Sequence, residues 1–236
     1  SFPTRRSSDL LFSVAPSAPV VNIIKEFDEK KRKVKTLNVD TQTLAYVGEF
    51  HKSDNNEKVV IDIGYETSKI VFMHKDTLVF SRSLSYGLAN LQSELVNYAK
   101  IPSNEALHIL KDIGLIAASG EVEGYVNRLS KDAYNELILD SFSGFSNDIF
   151  RALQFVQNNY GFMPKHMILG GGTANLPGLG ELIEGTIDID TSHWFLLEND
   201  VIDIDGGFSV INDSGVYIDS SFIHCYGLML RGGGVV

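Results

Sequence analysis

Three consecutive glycines, Gly170, Gly171 and Gly172, separate a short apolar strand at Met167–Leu169 from a helix, and they limit the folds open to this chain. Because glycine has no side chain, the backbone of such a loop can approach a flat ligand closely. The N-terminus of the following helix favours an anion. No Gly-Lys-Ser/Thr follows, so this is not a Walker loop. Taken alone, the glycines predict either a nucleotide contact or an ordinary strand-to-helix connection.

A second loop of phosphate-binding composition lies about a hundred residues earlier, in the segment VVIDIGYETSKIVFM. Asp62 ends a buried apolar strand, Gly64 frees the backbone of the turn, and Thr67 and Ser68 supply hydroxyl and N–H donors. Such a turn can direct backbone N–H groups at phosphate oxygens while the carboxylate orients hydrated Mg²⁺. Asp-x-Gly also occurs in ordinary hairpins. The two loops together, with helices between them, favour a nucleotide site.

The segments around these loops predict an α/β or α+β domain with a mixed sheet. The predicted strands are Leu11–Ala15, Val34–Val39, Val59–Ile63, Ser68–His74, Thr77–Ser83 and Met167–Leu169. The predicted helices are Val20–Arg32, Asp40–Phe50, Asn90–Ala99, Ser103–Ile113, Asp132–Asn159, Leu179–Glu184 and Ser221–Leu230. We also predict a turn at Pro16–Pro19, a helix cap at Asp40 or Thr41, and another at Ser103.

Charge and composition restrict the partners of this chain. A formal net charge of −10 argues against unaided binding to nucleic acid or to anionic lipid, because both reward clustered Lys and Arg. No apolar stretch approaches the roughly 20 residues of a transmembrane helix. The single cysteine, Cys225, cannot form an internal disulfide, which makes a reducing compartment the default. We therefore predict a cytoplasmic protein without direct membrane insertion, whose membrane association, if any, runs through a protein partner.

The six histidines show no shared spacing, and we expect each of them to be structural or exposed rather than catalytic.

The first ten residues, SFPTRRSSDL, show neither a helical nor a strand period and resemble the translation of a common sequencing-library adapter. We expect residues 1–10 to be an artefact that replaces a lost natural N-terminus; a natural disordered tail is the alternative. On that basis residues 11–52 form the end of a first half with a connecting helix. Residues 53–236 form a second subdomain that carries the phosphate and adenosine motifs.

Three motifs of this chain resemble those of the actin, Hsp70 and sugar kinase superfamily. The DIG turn resembles its second phosphate motif, GGGTANLPGL its adenosine motif, and NVDTQTLAYVG its connecting helix. The resemblance implies an α/β, actin-like ATPase (ribonuclease H-like) fold with a mixed sheet flanked by helices and an incomplete first half. It also implies ATP and Mg²⁺ as ligands.

The same resemblance assigns roles to individual residues. Asp40 would contact the attacking water or the metal, and Asp62 would be the carboxylate on the magnesium side, so these two are the candidate catalytic residues. The phosphate turn would consist of Gly64, Glu66, Thr67 and Ser68. The adenine and ribose would be lined by Gly170, Gly171, Gly172 and Asn175.

Further details resemble the PilM family more than its relative FtsA. They are the segment LVFSRSLSYGLANL, Glu66 rather than glycines after the DIG turn, and the closing segment SSFIHCYGLMLRG. The resemblance covers roughly Leu11–Gly233. It implies a cytoplasmic, ATP-binding scaffold of type IV pilus assembly that holds the N-terminal peptide of a PilN-like inner-membrane protein, lies peripheral to the inner membrane, and can form a homo-oligomer.

The chain departs from the family pattern, because no second Asp-x-Gly hairpin precedes Asp62. We expect it to hold only part of the nucleotide site and to be at most a weak ATPase, with this chain itself inactive. Glu66 would also place a negative charge near the triphosphate. Two alternatives are an FtsA-like division protein, although Ser221–Val236 has almost no basic face for a membrane, and a small-molecule kinase, for which neither a base nor a sugar pocket is evident.

Overall fold

The structure is a computed structural model that describes residues 15–34, 37–50, 56–117, 122, 129–194, 201–204, 208–211 and 219–232. The chain forms two compact units, residues 1–39 and residues 40–236. The division of the chain at residues 52 and 53 stays a prediction. Among the described residues, no helix combines the length and the apolar character needed to span a membrane.

The described residues of the first unit form one helix, α1 (Ser17–Glu29). It begins directly after Pro16 and includes Pro19, so the predicted turn at Pro16–Pro19 is wrong. A helix tolerates proline in its first turn because those N–H groups have no partner within the helix. The predicted strand at Val34–Val39 is absent from its described residues, 34 and 37–39. Most of the predicted strand at Leu11–Ala15 lies outside the described residues.

The second unit is organised around a five-stranded mixed sheet in the order β3-β2-β1-β4-β5. Its strands are β1 (Glu57–Ile63), β2 (Ser68–His74), β3 (Thr77–Leu84), β4 (His166–Gly170) and β5 (Asp190–His193). The first three form the predicted antiparallel meander, whereas β4 pairs with β1, and β5 with β4, in parallel. A separate antiparallel pair consists of β6 (Val201–Ile204) and β7 (Phe208–Ile211).

The described residues of this unit form six α-helices, whose bounds agree with the prediction within a few residues. They are α2 (Asp40–Phe50), α3 (Leu88–Ala99), α4 (Ser103–Asp112), α5 (Lys131–Tyr160), α6 (Leu179–Ile187) and α7 (Ile223–Gly232). The predicted cap at Ser103 is wrong by one position, because Pro102 is the extended residue before α4 and Ser103 is its first helical residue. Ser130 caps α5 by accepting a hydrogen bond from the N–H of Ala133.

The sheet separates two apolar layers, and strand alternation decides which residue enters which layer. In β1 the odd residues Val59, Ile61 and Ile63 pack in the larger core, which includes residues of α3, α4, α5 and α6. The even residue Val60 packs in a smaller cluster with Leu44 of α2 and residues of α7. Asp62, an even residue, therefore lies on the α2 and α7 face of the sheet, at the carboxyl end of β1.

Candidate functional site

The two loops singled out in the sequence meet at one edge of the sheet. Strands β1 and β4 are parallel neighbours, and Asp62 lies opposite Gly170 in their ladder. Since the carboxyl ends of parallel strands lie at the same edge of a sheet, the turn after β1 and the loop after β4 emerge side by side. The hydroxyl of Thr173 then bonds the loop to the turn by donating to the carbonyl of Gly64, at 2.8 Å.

Close backbone approach explains the glycines of the second loop. Gly171 has φ +90° and ψ 163°, a region that only glycine adopts without strain. A Cβ at this position would collide with Oδ1 of Asp62 and would lie 2.5 Å from the carbonyl oxygen of Ile63. At Gly170 a Cβ would collide with Ile223 of α7. Gly170 and Gly171 are thus buried packing positions.

Two of the predicted adenosine-motif residues are exposed. Gly172 and Asn175 lie at the surface of the loop, where a ligand can reach them. The side chain of Asn175 hydrogen-bonds the carboxylate of Asp219. Hydrogen bonds from the hydroxyl and the N–H of Ser221 are the main reason why the pKa of Asp219 lies below its ordinary value, and Asn175 adds to them. The structure therefore separates the four predicted residues into two buried and two accessible ones.

The turn after β1 is supported from behind by the start of α3. The carbonyl of Gly64 accepts a hydrogen bond from the N–H of Leu88 at 3.1 Å, and the carbonyl of Tyr65 accepts one from Ala89 at 2.8 Å. A trans peptide points its C=O and its N–H in opposite directions. The N–H groups of Tyr65 and Glu66 consequently point away from α3, on residues whose side chains are exposed. This geometry suits an anion.

The predicted phosphate-turn residues do not all lie at this surface. Glu66 and Thr67 are exposed and Gly64 is half-buried, whereas Ser68 is fully buried. The hydroxyl of Ser68 donates to the carbonyl of Tyr86 at 2.7 Å, on the side of the larger core. The structure thus brings Gly64, Glu66 and Thr67 together and places the Ser68 hydroxyl apart from them.

Asp62 has two oxygens in different surroundings. The residue is 8% exposed. Its Oδ2 accepts a hydrogen bond of 2.9 Å from Nε2 of His224, and its Oδ1 faces Gly171. On the other side of the imidazole, Nδ1 of His224 lies 2.7 Å from the hydroxyl of Thr43. Asp62 is therefore held by a side chain of α7 that is itself held by α2.

Asp40, the first residue of α2, belongs to the same network. Its Oδ2 lies 2.9 Å from Nζ of Lys69, which is the residue opposite Asp62 in the β1–β2 ladder. Partial burial raises the pKa of Asp40, but the hydrogen bond and charge of Lys69 and the N–H of Thr41 outweigh it and lower the pKa below its ordinary value. The main-chain carbonyl of Asp40 also accepts from the Thr43 hydroxyl, at 2.6 Å.

A magnesium ion with a nucleotide fits these residues better than a metal held by protein alone. In the part of the chain that the structure describes, no three His, Cys, Asp or Glu side chains lie close enough to form a metal cage. Mg²⁺ usually takes one or two carboxylates together with phosphate oxygens and water. Asp62 supplies one such carboxylate, with Oδ1 beside the glycine loop.

His224 is the residue that the sequence did not reveal as part of the site. The expectation that each histidine is structural or exposed gave no position for His224, whose half-buried imidazole bridges Asp62 and Thr43. Histidine spacing carries no signal here, because the contact spans 162 residues of sequence. A carboxylate that is buried at the end of a strand needs a hydrogen-bond donor. This need was the one indication in the sequence that Asp62 has a side-chain partner.

Comparison with known proteins agrees with this fold. A family model for type IV pilus assembly protein PilM matches residues 9–199. No curated protein matches the chain by sequence.

Solved structures share the fold at low identity. A PilM-PilN type IV pilus biogenesis complex is 16% identical, with a TM-score of 0.62 over 91% of this chain and 57% of that chain. The ethanolamine utilization protein EutJ from Carboxydothermus hydrogenoformans is 16% identical (TM-score 0.58; 92% and 62%). MreB5 of Spiroplasma citri bound to AMPPNP is 14% identical (TM-score 0.59; 90% and 64%). The chain spans less than two thirds of each of these structures.

The five-stranded mixed sheet with flanking helices is thus an actin-like ATPase fold, as predicted. The family match covers most of the chain and includes both loops of the candidate site. This chain therefore belongs to the family of type IV pilus assembly protein PilM.

Proposed function

We propose that this protein is an ATP-binding scaffold of type IV pilus assembly, which docks the N-terminal peptide of a PilN-like inner-membrane protein. The observation that carries the proposal is the hydrogen bond between Thr173 and Gly64, because it joins a phosphate turn to a glycine loop in a chain of the PilM family. Nucleotide would act mainly as a conformational ligand, which binds one arrangement of the scaffold better than another.

The residues that would hold the nucleotide follow from exposure and backbone direction. The N–H groups of Tyr65 and Glu66 would face the phosphates, and Gly172 and Asn175 would face the adenosine. Asp62 would take Mg²⁺, directly or through water, and the ion would neutralise phosphate charge. The exposed carboxylate of Glu66 lies in the same turn, so Mg²⁺ would also offset its repulsion of the phosphates.

Slow or absent hydrolysis fits the surroundings of Asp40. A carboxylate that activates water must be free to accept a proton. In this protein the carboxylate of Asp40 is bonded to the Lys69 ammonium, and its lowered pKa makes it a poorer base. This favours a binding role over phosphoryl transfer to a small molecule, and at most weak ATPase activity.

The partner and the location follow from the family. The similar PilM-PilN structure is a complex with PilN, and we extend that partner to this chain. The acidic net charge of −10 argues against direct binding to nucleic acid or to anionic lipid. A cytoplasmic protein that a PilN-like partner holds beside the inner membrane needs no direct contact with lipid. Self-association into a homo-oligomer is compatible with this role.

The experiment that tests the proposal is a calorimetric titration of the full-length protein, expressed from its parent locus. Mg-ATP is titrated with and without a synthetic peptide of the first residues of a PilN-like inner-membrane protein. We expect both ligands to bind, with negligible phosphate release. Asp62→Asn should weaken Mg-ATP binding and leave peptide binding intact, and His108→Ala, on the exposed face of α4, serves as the matched control.

Three results would replace the proposal. Phosphate transfer to a sugar without peptide binding would indicate a kinase. ATP-dependent polymers that sediment with lipid vesicles would indicate an FtsA-like protein. Failure of the wild-type protein to bind either ligand would remove the scaffold function itself.

A further inference from the structure

His224 connects three elements at the candidate site. Its Nε2 lies 2.9 Å from Oδ2 of Asp62 at the end of β1, and its Nδ1 lies 2.7 Å from the hydroxyl of Thr43 in α2. A carboxylate can only accept hydrogen bonds, so Nε2 is the donor to Asp62. The imidazole is therefore the contact through which α7 reaches the carboxylate of the site.

Packing of α7, rather than the bond to Asp62, sets the place of this imidazole. A Cβ at Gly227 would collide with the main-chain oxygen of Thr43, and a Cβ at Gly170 would collide with Ile223. Ile223 is fully buried in the cluster that α2 and α7 share with the sheet. Because α7 lies this close to both α2 and β4, the imidazole is already in position before any ligand binds.

The hydrogen bond from His224 restricts the carboxylate of Asp62. The terminal torsion of an aspartate is broad, so an unbonded carboxylate rotates easily. Here Oδ2 is held by Nε2, and Oδ1 is consequently directed towards Gly171, beside the loop that carries the exposed Gly172. A group that fixes a metal-binding carboxylate in this way commonly accounts for about 10–100-fold in metal affinity.

We propose that His224 is a positioning residue, which fixes Asp62 so that Oδ1 faces the Mg²⁺ of the bound nucleotide. The inference rests on the proposed nucleotide-binding function. It adds α7, which lies beyond residues 9–199 of the family match, to the site. Removal of the imidazole should weaken the binding of Mg²⁺ while leaving the contacts to ATP itself in place.

The test separates metal binding from nucleotide binding. ATP is first titrated into the full-length protein in EDTA, and MgCl2 is then titrated into the ATP complex. We expect His224→Ala to weaken Mg²⁺ binding by about 10–100-fold, with no change in ATP affinity in EDTA. His108→Ala, which removes an exposed histidine of α4, should match the wild type.

Two conservative variants identify the atom that matters. The amide of Gln reaches to about the position of Nε2, whereas that of Asn reaches only to about Nδ1. We expect His224→Gln to retain most of the Mg²⁺ affinity and His224→Asn to lose it. Both variants keep a polar side chain at this position. Their comparison therefore shows whether a donor at the position of Nε2 is required, even if His224→Ala does not fold.

The outcomes distinguish this inference from the proposed function. If the wild-type protein shows no binding of ATP under either condition, the proposed function is wrong and this inference falls with it. If the wild type binds Mg-ATP but the Gln and Asn variants bind Mg²⁺ equally, only the inference is overturned. Equal weakening of ATP binding in EDTA and in Mg²⁺ would also overturn it, because His224 would then have a general structural role.

Discussion

The hydroxyl of Thr173 donates to the main-chain carbonyl of Gly64 at 2.8 Å, although 109 residues of sequence separate the two. The bond crosses from the glycine loop after β4 to the turn after β1. The same carbonyl accepts the N–H of Leu88, at the start of α3. One carbonyl oxygen thus connects the loop, the turn and a helix, and its bond to Leu88 holds the N–H of Tyr65 away from α3.

Thr173→Val tests this bond directly. Valine has nearly the same shape but no hydroxyl, so we expect a loss of about 0.5–1.5 kcal/mol in the free energy of unfolding. The carbonyl of Gly64 keeps its bond to Leu88, which places the expected loss at the lower end. Urea unfolding provides the measurement, and Thr173→Ser, which retains the hydroxyl, is the control. Equal midpoints for Val, Ser and wild type would contradict the prediction.

Gly171→Ala should be among the most damaging single substitutions in this unit. Alanine would adopt a glycine-only conformation, and its Cβ would collide with Oδ1 of Asp62. We expect a loss of about 3 kcal/mol or more, measured by urea unfolding. Gly144→Ala, in the middle of α5 with open space around it, should instead stabilise by about 0.5–1 kcal/mol. A similar effect at both positions would refute this account of the loop.

The ion pair of Asp40 with Lys69 predicts a dependence of stability on pH. The pKa of Asp40 is lower in the folded chain than in the unfolded one, where it has its ordinary value near 4. The contribution of this ion pair to the free energy of unfolding is therefore complete above about pH 4, and it disappears as the pH falls through the lower pKa of the folded chain. Because Asp40 is about half exposed, we expect less than about 1 kcal/mol.

Lys69→Met provides the measurement for this pair. Its difference in unfolding free energy from the wild type should be present at pH 7 and shrink towards pH 2. Lys111→Met, at an exposed lysine of α4, should show no such change with pH. A difference that grows on acidification would have the wrong sign.

Gln92 is expected to support the turn of residues 64–67 from the side of α3. Its buried side chain accepts the hydroxyl of Tyr65 at 2.8 Å and donates to the carbonyl of Ser103 at 2.6 Å. Gln92→Leu should lower the free energy of unfolding by about 1–3 kcal/mol and accelerate amide exchange in the turn. Tyr65→Phe should lower that free energy by less than about 1 kcal/mol. Amide hydrogen exchange in the turn is measured for both variants. Equal protection of these amides in the two variants would show that Gln92 does not support the turn.

Local pattern predicted strands β1 to β4 and the described α-helices of the second unit within a few residues, but it did not predict β5, β6 or β7. The bounds of α2 and β2 agree with the prediction at both ends. Periodicity could not show that β4 pairs in parallel with β1, since strands of one period can pair in many orders. Only the motif resemblance brought the two loops together before the structure did.

The remaining site could not be predicted because it depends on packing over long distances in sequence. Nothing near His224 in the sequence indicates that α7 lies against Thr43, and the close approach relies on a single glycine, Gly227. The burial of the Ser68 hydroxyl also depends on a distant contact, because its acceptor is the carbonyl of Tyr86, which follows the next strand, β3. Such contacts exist only once the helices and the sheet have their relative positions.

The register of the β1–β2 hairpin has a consequence for length variation in this family. Ile63 pairs with Ser68 across the turn of residues 64–67, and Asp62 pairs with Lys69. An inserted or deleted residue in that turn would shift one strand by a position and turn its side chains to the opposite face of the sheet. Lys69 would then leave Asp40, and apolar residues would face the site. Relatives that keep the site should therefore accept insertions and deletions in other loops while this hairpin keeps its length.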